Sequence, residues 1–238
     1  MADAVVALTP EEVGYLTASN GISRSKITIV PVGVNLERFT PQGDAFPRNG
    51  RLRMVTVGRL VPRKGVDTVI DGVAKVAETL DAELLIAGGP ARDALDADAT
   101  VRRLRGLARK HEVDTRIEFL GRIAHERVPE LLRSADVFVC APLYEPFGTA
   151  ALEAAACGVP VIAPAVGGLQ QHVLEGRTGM LVPAANADAL ANALTTLLSD
   201  SRMRGDMGAA AAANARRYSW PSVTDQILTV YRSLLRPR

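Results

Sequence analysis

The sequence predicts a doubly wound α/β domain on a parallel sheet, and three features predict it. From Leu52 onward, short apolar runs alternate with stretches of helical periodicity, the texture of repeated strand-helix-strand units. The apolar runs are continuous rather than alternating, as strands buried on both faces require. The turns that follow several of these runs carry glycine beside charged residues, at the strand ends where such sheets bind ligands.

Taken in order, Ala4 to Leu8 is a short apolar run, Thr9 with Pro10 and Glu12 reads as a helix start, and ITIVPVGVN at 27–35 is β-rich. A lone strand and helix cannot form a domain, and PQGDAFPRNG at 41–50 reads as a linker. LRMVTVG at 52–58 is the first strand of the main unit, followed by a helical stripe of Val66, Val69, Ile70, Val73, Val76, Ala77 and Leu80. AELLIAGG, RIEFLG, ADVFVCA, VPVIAP and TGMLVP supply further strands, with helices near 100–112, 125–134, 147–157 and 187–199. MRGDMGAAAAANARRYSW, from Met203, favours helix despite Gly205 and Gly208. SWPSVTDQILTVYRSLL predicts a last helix with Ser219 as N-cap, Pro221 in its first turn and an apolar stripe of Ile227, Leu228, Tyr231, Leu234 and Leu235.

The most informative stretch is EPFGTAALEAAACG, Glu145 to Gly158, between two apolar runs. Proline is tolerated in the first turn of a helix, so the sequence places a helix start near Pro146. The N–H groups of Phe147, Gly148 and Thr149 then lack partners and, with the macrodipole, favour an anion that Gly148 allows to come close. Glu145 and Glu153 stand eight positions apart, roughly 12 Å along a helix axis. That is about the reach of a nucleotide-sugar from ribose to hexose. The alternative is one carboxylate beside an N-cap and another on a wet helix face.

GRLVPRKG at 58–65 places Gly58 and Gly65 around Arg59, Arg63 and Lys64, but the spacing departs from the G-x-x-x-x-G-K-[ST] triphosphate loop. A guanidinium fork and a compact ammonium can neutralise a diphosphate without metal; the alternative is a basic surface loop. The Asp96 and Asp98 pair resembles a metal motif but stands where a helix start favours Asp, and His111, His125 and His172 have no companion ligands at metal spacing. No metal and no catalytic histidine are expected.

EPFGTAALEAAACGVPVIAPAVGG resembles the E-x7-E region of the retaining, metal-independent glycosyltransferases of GT-B fold, the glycogen synthase and mannosyltransferase-like group. GRLVPRKG, FLGRI, ADVFV, GGLQQHV and GRTGMLVP resemble that family's other motifs in the same order. The resemblance implies a C-terminal, nucleotide-sugar-binding GT-B half at residues 46–218. Residues 1–45 would be the end of an acceptor domain and its connection, through GVNLERFTP, and 219–238 a crossover helix. It assigns Arg59 and Lys64 to the leaving diphosphate, Glu145 to the sugar and Glu153 to ribose. Gly58, Phe147, Gly148, Thr149 and Leu152 line the donor, and the backbone at Arg122 and Ile123 meets the nucleobase. Gln171 stands where that family often has Glu. The donor would be a UDP- or GDP-sugar with no cofactor, and the acceptor a sugar, lipid or small molecule on a missing N-terminal domain. A non-catalytic donor-binding module is the alternative; a phosphorylase would need a pyridoxal-binding Lys for which there is no signal.

With 238 residues, 47% hydrophobic and 23% charged, the chain can bury a core without disulfides, and 4% aromatics make that core aliphatic. A net charge of +2 argues against a general nucleic-acid binder. Cys140 and Cys157 suit a reducing compartment, and no run approaches a membrane span, so the expected location is cytoplasmic or peripheral to a membrane. The terminal stripe needs a partner: residues 4–16 or another copy of the chain.

Overall fold

The computed structural model describes residues 2–235. A small unit opens the chain: β1 (Val5–Ala7), α1 (Pro10–Asn20) and β2 (Ile27–Ile29). Thr9 caps α1 by accepting from the N–H of Glu12, and β1 pairs with β2 in parallel around Ala7, Val13 and Ile27. Pro31 lacks an N–H for further pairing, so the β-rich run ends at Ile29 rather than continuing to Asn35.

The main unit runs β3 (Leu52–Val57), α2 (Val66–Ala77), β4 (Ala82–Ala87), α3 (Ala99–Lys110), β5 (Ile117–Gly121), α4 (Val128–Arg133), β6 (Val137–Val139), α5 (Thr149–Ala156), β7 (Val161–Pro164), α6 (Leu169–His172), β8 (Gly179–Val182), α7 (Ala187–Ser199) and α8 (Ser201–Ala215). All six strands are parallel in the order β5-β4-β3-β6-β7-β8, the expected doubly wound sheet. The order reverses between β3 and β6, so the connections leaving those neighbours diverge and open a crevice at their carboxyl ends.

Strand residues alternate between two aliphatic layers. Met54, Leu84, Ile86, Val137 and Val139 pack with α2, α3 and α7 on one face. Val55, Leu85, Ala87 and Phe138 pack with α4, α5 and α8 on the other. At roughly 25 cal/mol per Å² of apolar area removed from water, these layers dominate the stability of the domain.

α9 (Trp220–Leu235) crosses back to the small unit. The hydroxyl of Ser219 accepts from the N–H of Ser222, as a cap does, and the N–H of Val34 donates to the carbonyl of Tyr218 at 2.7 Å. The buried face of α9 is Val223 and Val230, with Ile227 partly covered, and it packs on Val30 and Ala4. The expected stripe is therefore displaced around the helix: Leu228, Tyr231, Leu234 and Leu235 are exposed. The helix carries apolar residues on two adjoining faces, and sequence periodicity does not say which of them meets the small unit. No helix among the described residues is long and apolar enough to cross a membrane.

Candidate active site

The crevice at the β3/β6 switch point is a cleft of about 410 Å³. The loop after β3 supplies Gly58, Arg59 and Lys64, and the loop after β6 with α5 supplies Glu145, Gly148, Thr149 and Glu153. Close backbone packing joins the two loops. Gly65 has φ +63, and a Cβ there would lie 1.9 Å from the carbonyl oxygen of Ala141. Only glycine lets the loop carrying Lys64 sit so near β6.

Helix α5 starts three residues later than expected, at Thr149 with Gly148 as its cap at φ 91. The cause is tertiary. The carbonyl of Glu145 accepts from the N–H of Gly168 at 2.9 Å, and the carbonyl of Phe147 accepts from Nε2 of His172 at 2.5 Å. Their acceptors are engaged by another segment, and the first helical bond is Leu152 N–H to Gly148. Gly167 and Gly168 permit this approach, since a Cβ on either would fall 2.0 Å from the Glu145 oxygen or 2.4 Å from the Phe147 Cα. The unpaired N–H groups at the helix start are thus Thr149, Ala150 and Ala151, and all three residues line the cleft. Glu145 lies in the turn before the helix, so helical rise does not measure its separation from Glu153.

Lys64 and Glu145 form an ion pair, with side chains 23% and 14% exposed. A ligand phosphate entering the cleft would meet an ammonium already neutralised by a carboxylate. Arg59 is exposed and lines the cleft, and its guanidinium makes no hydrogen bond or ion pair among the described residues. Arg63 donates from Nη1 to the carbonyl of Tyr144 at 3.0 Å, tying together the two loops that frame the cleft.

Glu153 accepts from Nε2 of His125 at 3.1 Å. Burial pushes its carboxyl above the usual range, and the hydrogen bond from His125 opposes that shift. Nothing local in the sequence marks His125, because its contact to Glu153 spans 28 positions. Buried His172 packs edge-on against Phe147, with ring centroids 4.3 Å apart. Desolvation lowers its pKa to about 4, against the hydrogen bond to Phe147, so it is a neutral structural support.

Four expected site residues lie outside the cleft lining. Phe147 and Leu152 are core residues, 4% and 1% exposed, because the delayed helix turns them into the layer beneath the sheet. Arg122 and Ile123 follow β5, two strands from the switch point; the N–H of Arg122 donates to the carbonyl of Pro90 at 2.7 Å, and Ile123 packs against the core. Asp98 caps α3 by accepting from Val101 N–H, and Asp96 pairs with Arg105. No group of three or more His, Cys, Asp or Glu placed to hold a metal occurs among the described residues.

Strand order and a switch-point crevice framed by a helix start and a basic loop define the class: a Rossmann-like domain with its cleft at the carboxyl edge of the sheet. The chain belongs to the family of glycosyl transferases group 1, whose model matches residues 43–214. It is 35% identical over 244 residues to D-inositol 3-phosphate glycosyltransferase of Kribbella flavida, covering 98% of this chain and 57% of that protein. It is 34% identical over 242 residues to the Corynebacterium efficiens protein of the same name, covering 97% and 56%. Sucrose-phosphate synthase from Thermosynechococcus elongatus superposes with a TM-score of 0.87 at 35% identity, covering 98% of this chain and 59% of that one. Anabaena HepE, solved with UDP and glucose, shares the fold with a TM-score of 0.84 at 22% identity, covering 98% and 64%. The six-stranded sheet is the Rossmann-like sheet of GT-B glycosyltransferases, and the chain spans about half the length of the curated relatives it matches.

Proposed function

We propose that the cleft binds the donor of a nucleotide-sugar glycosyltransferase and that transfer proceeds with retention and without metal. The observation that supports this most is the meeting, in one cleft, of Lys64, Arg59 and the three unpaired N–H groups at the start of α5. Charge develops on the diphosphate as the sugar leaves, and fixed donors aimed at that charge lower the barrier. Arg59 and Lys64 take the diphosphate oxygens with Thr149 assisting, Glu153 accepts from the ribose hydroxyls, and Glu145 orients the sugar. The Lys64 ammonium has three N–H donors, so it can meet a phosphate oxygen while still paired with Glu145. With Glu145 assigned to orienting the sugar and Glu153 to ribose, front-face transfer with leaving-group stabilisation fits the described residues that line the cleft.

The acceptor would be held by structure outside the described residues, beside whose main domain stand the β1-α1-β2 unit and α9. Holding an acceptor against the reacting carbon can contribute roughly 7–11 kcal/mol of the barrier in favourable cases. The chain alone is therefore a donor-binding module with negligible transfer. Calorimetry with UDP and GDP in excess chelator tests the reading. Binding of one of them without divalent metal is expected; binding only after magnesium is restored overturns the metal-free part. Robust turnover by the isolated chain with simple sugar acceptors overturns the division between donor and acceptor structure.

A further inference from the structure

We propose that His125 is a positioning residue of the donor site, holding Glu153 as an aimed carboxylate in a tautomer that Arg38 fixes from behind. The proposal rests on the donor reading above and concerns residues that reading leaves unassigned. Nη1 of Arg38 lies 3.2 Å from Nδ1 of His125. A guanidinium has donors only, so Nδ1 must accept and the ring proton sits on Nε2, which donates to Glu153 Oε1. The ring also lies against Phe39, centroids 5.4 Å apart.

Arg38 is itself a built part. Asn35 Oδ1 accepts from the N–H groups of Glu37 and Arg38 at 3.0 and 3.1 Å, and Phe39 is 2% exposed in the core. The segment joining the small unit to the main domain thus reaches the inner carboxylate of the cleft through one imidazole. The charged groups facing His125 are Glu153 from α5, Arg38 from the connection, and neighbouring Glu126, whose Oε1 is 3.8 Å from Arg38 Nη1.

The arrangement does two things for a ligand diol. It occupies Oε1, and Oε2 has no hydrogen-bond partner among the described residues. It also opposes protonation of a carboxyl in which burial favours the neutral form, and a protonated carboxyl accepts hydroxyls poorly. The His125 side chain is 58% exposed and that of Glu153 12%, so the imidazole is the partner free to swing.

The test has a ligand-free arm and a ligand arm. In the first, NMR of the full chain reads the His125 tautomer and the titration of the Glu153 carboxyl. Neutral His125 should carry its proton on Nε2, with Arg38→Ala spreading it over both nitrogens. The Glu153 midpoint should rise in His125→Ala and return in His125→Gln, which restores a donor that does not titrate. In the second, UDP and GDP are compared by calorimetry with their 2′,3′-dideoxy counterparts. The preference for the ribose form should fall about tenfold in His125→Ala, the cost of one hydrogen bond to a charged group. Its acid limb should move to higher pH, and His125→Gln should recover most of the preference. If His125→Ala fails to fold, Arg38→Ala and His125→Gln carry the test. An unchanged Glu153 titration, or an unchanged ribose preference in a chain that binds the nucleotide, overturns the proposal. Failure of the unaltered chain to bind either nucleotide overturns the donor reading instead, and the NMR arm still decides whether His125 sets the state of Glu153.

Discussion

The two edges of the main sheet both carry charge inside the fold, and they use it differently. At the amino edge, Arg53 Nε donates to Glu83 Oε1 at 2.7 Å with side chains 5% and 9% exposed, and Asn49 holds the other Glu83 oxygen. Asp136 accepts from the N–H of Arg53 and from Arg48. Nη1 of Arg53 is buried without a partner. At the carboxyl edge, the Lys64–Glu145 pair and Glu153 line an open cleft, and His125 contacts Glu153 from beside it. Sealed charges can only hold one another, whereas charges facing a cleft can exchange partners with a ligand. A buried pair is thus weak evidence of function until its access is known.

Removing half of the sealed pair should have the largest effect. Glu83→Ala leaves Arg53 uncompensated and should cost about 3–5 kcal/mol of stability by urea denaturation, with donor affinity unchanged in the folded fraction. A cost below about 1 kcal/mol would dissolve the contrast between the edges.

The carboxyl edge also contains one sealed group, His172. Its proton affinity is depressed in the fold, so between the unfolded value of 6.5 and about 4 the unfolded chain binds the extra proton. Stability is full above pH 6.5 and is lost as pH falls through that window, by about 3 kcal/mol at its lower end. His172→Leu should remove this part of the acid dependence; parallel stability curves for the two proteins from pH 7 to 4 would refute it.

At the cleft, Lys64→Ala or Arg59→Ala should weaken nucleoside diphosphate binding by about 1.5–3 kcal/mol in calorimetry while changing stability little. Equal losses of stability and affinity would make Lys64 a structural residue like Arg53. The smallest change in nucleoside diphosphate affinity is expected from Glu145→Gln, which should leave it nearly intact while reducing sugar recognition. Glu153→Gln should weaken nucleoside and nucleotide-sugar binding alike. Equal losses of nucleoside diphosphate affinity from both changes would end the assignment of sugar to one carboxylate and ribose to the other.

The strands, the parallel class and the two loops framing the cleft were legible because buried parallel strands must be continuously apolar and their carboxyl ends carry the ligand loops. Which face of α9 is covered was not legible, because two adjoining faces satisfy the same period.

By itself, the sequence determined the order of elements, the pairing of a basic loop with a helix start, and the family, since each is written in neighbouring residues. Only the tertiary structure decided where α5 begins, because the carbonyls that would have extended it backward are held by Gly168 and His172. Tertiary packing alone also turned Phe147 and Leu152 into the core and set His125 between Arg38 and Glu153, 87 and 28 positions away. A hydrogen bond between distant residues leaves no periodicity in the chain, and burial selects among local conformations that the backbone finds nearly equal in energy.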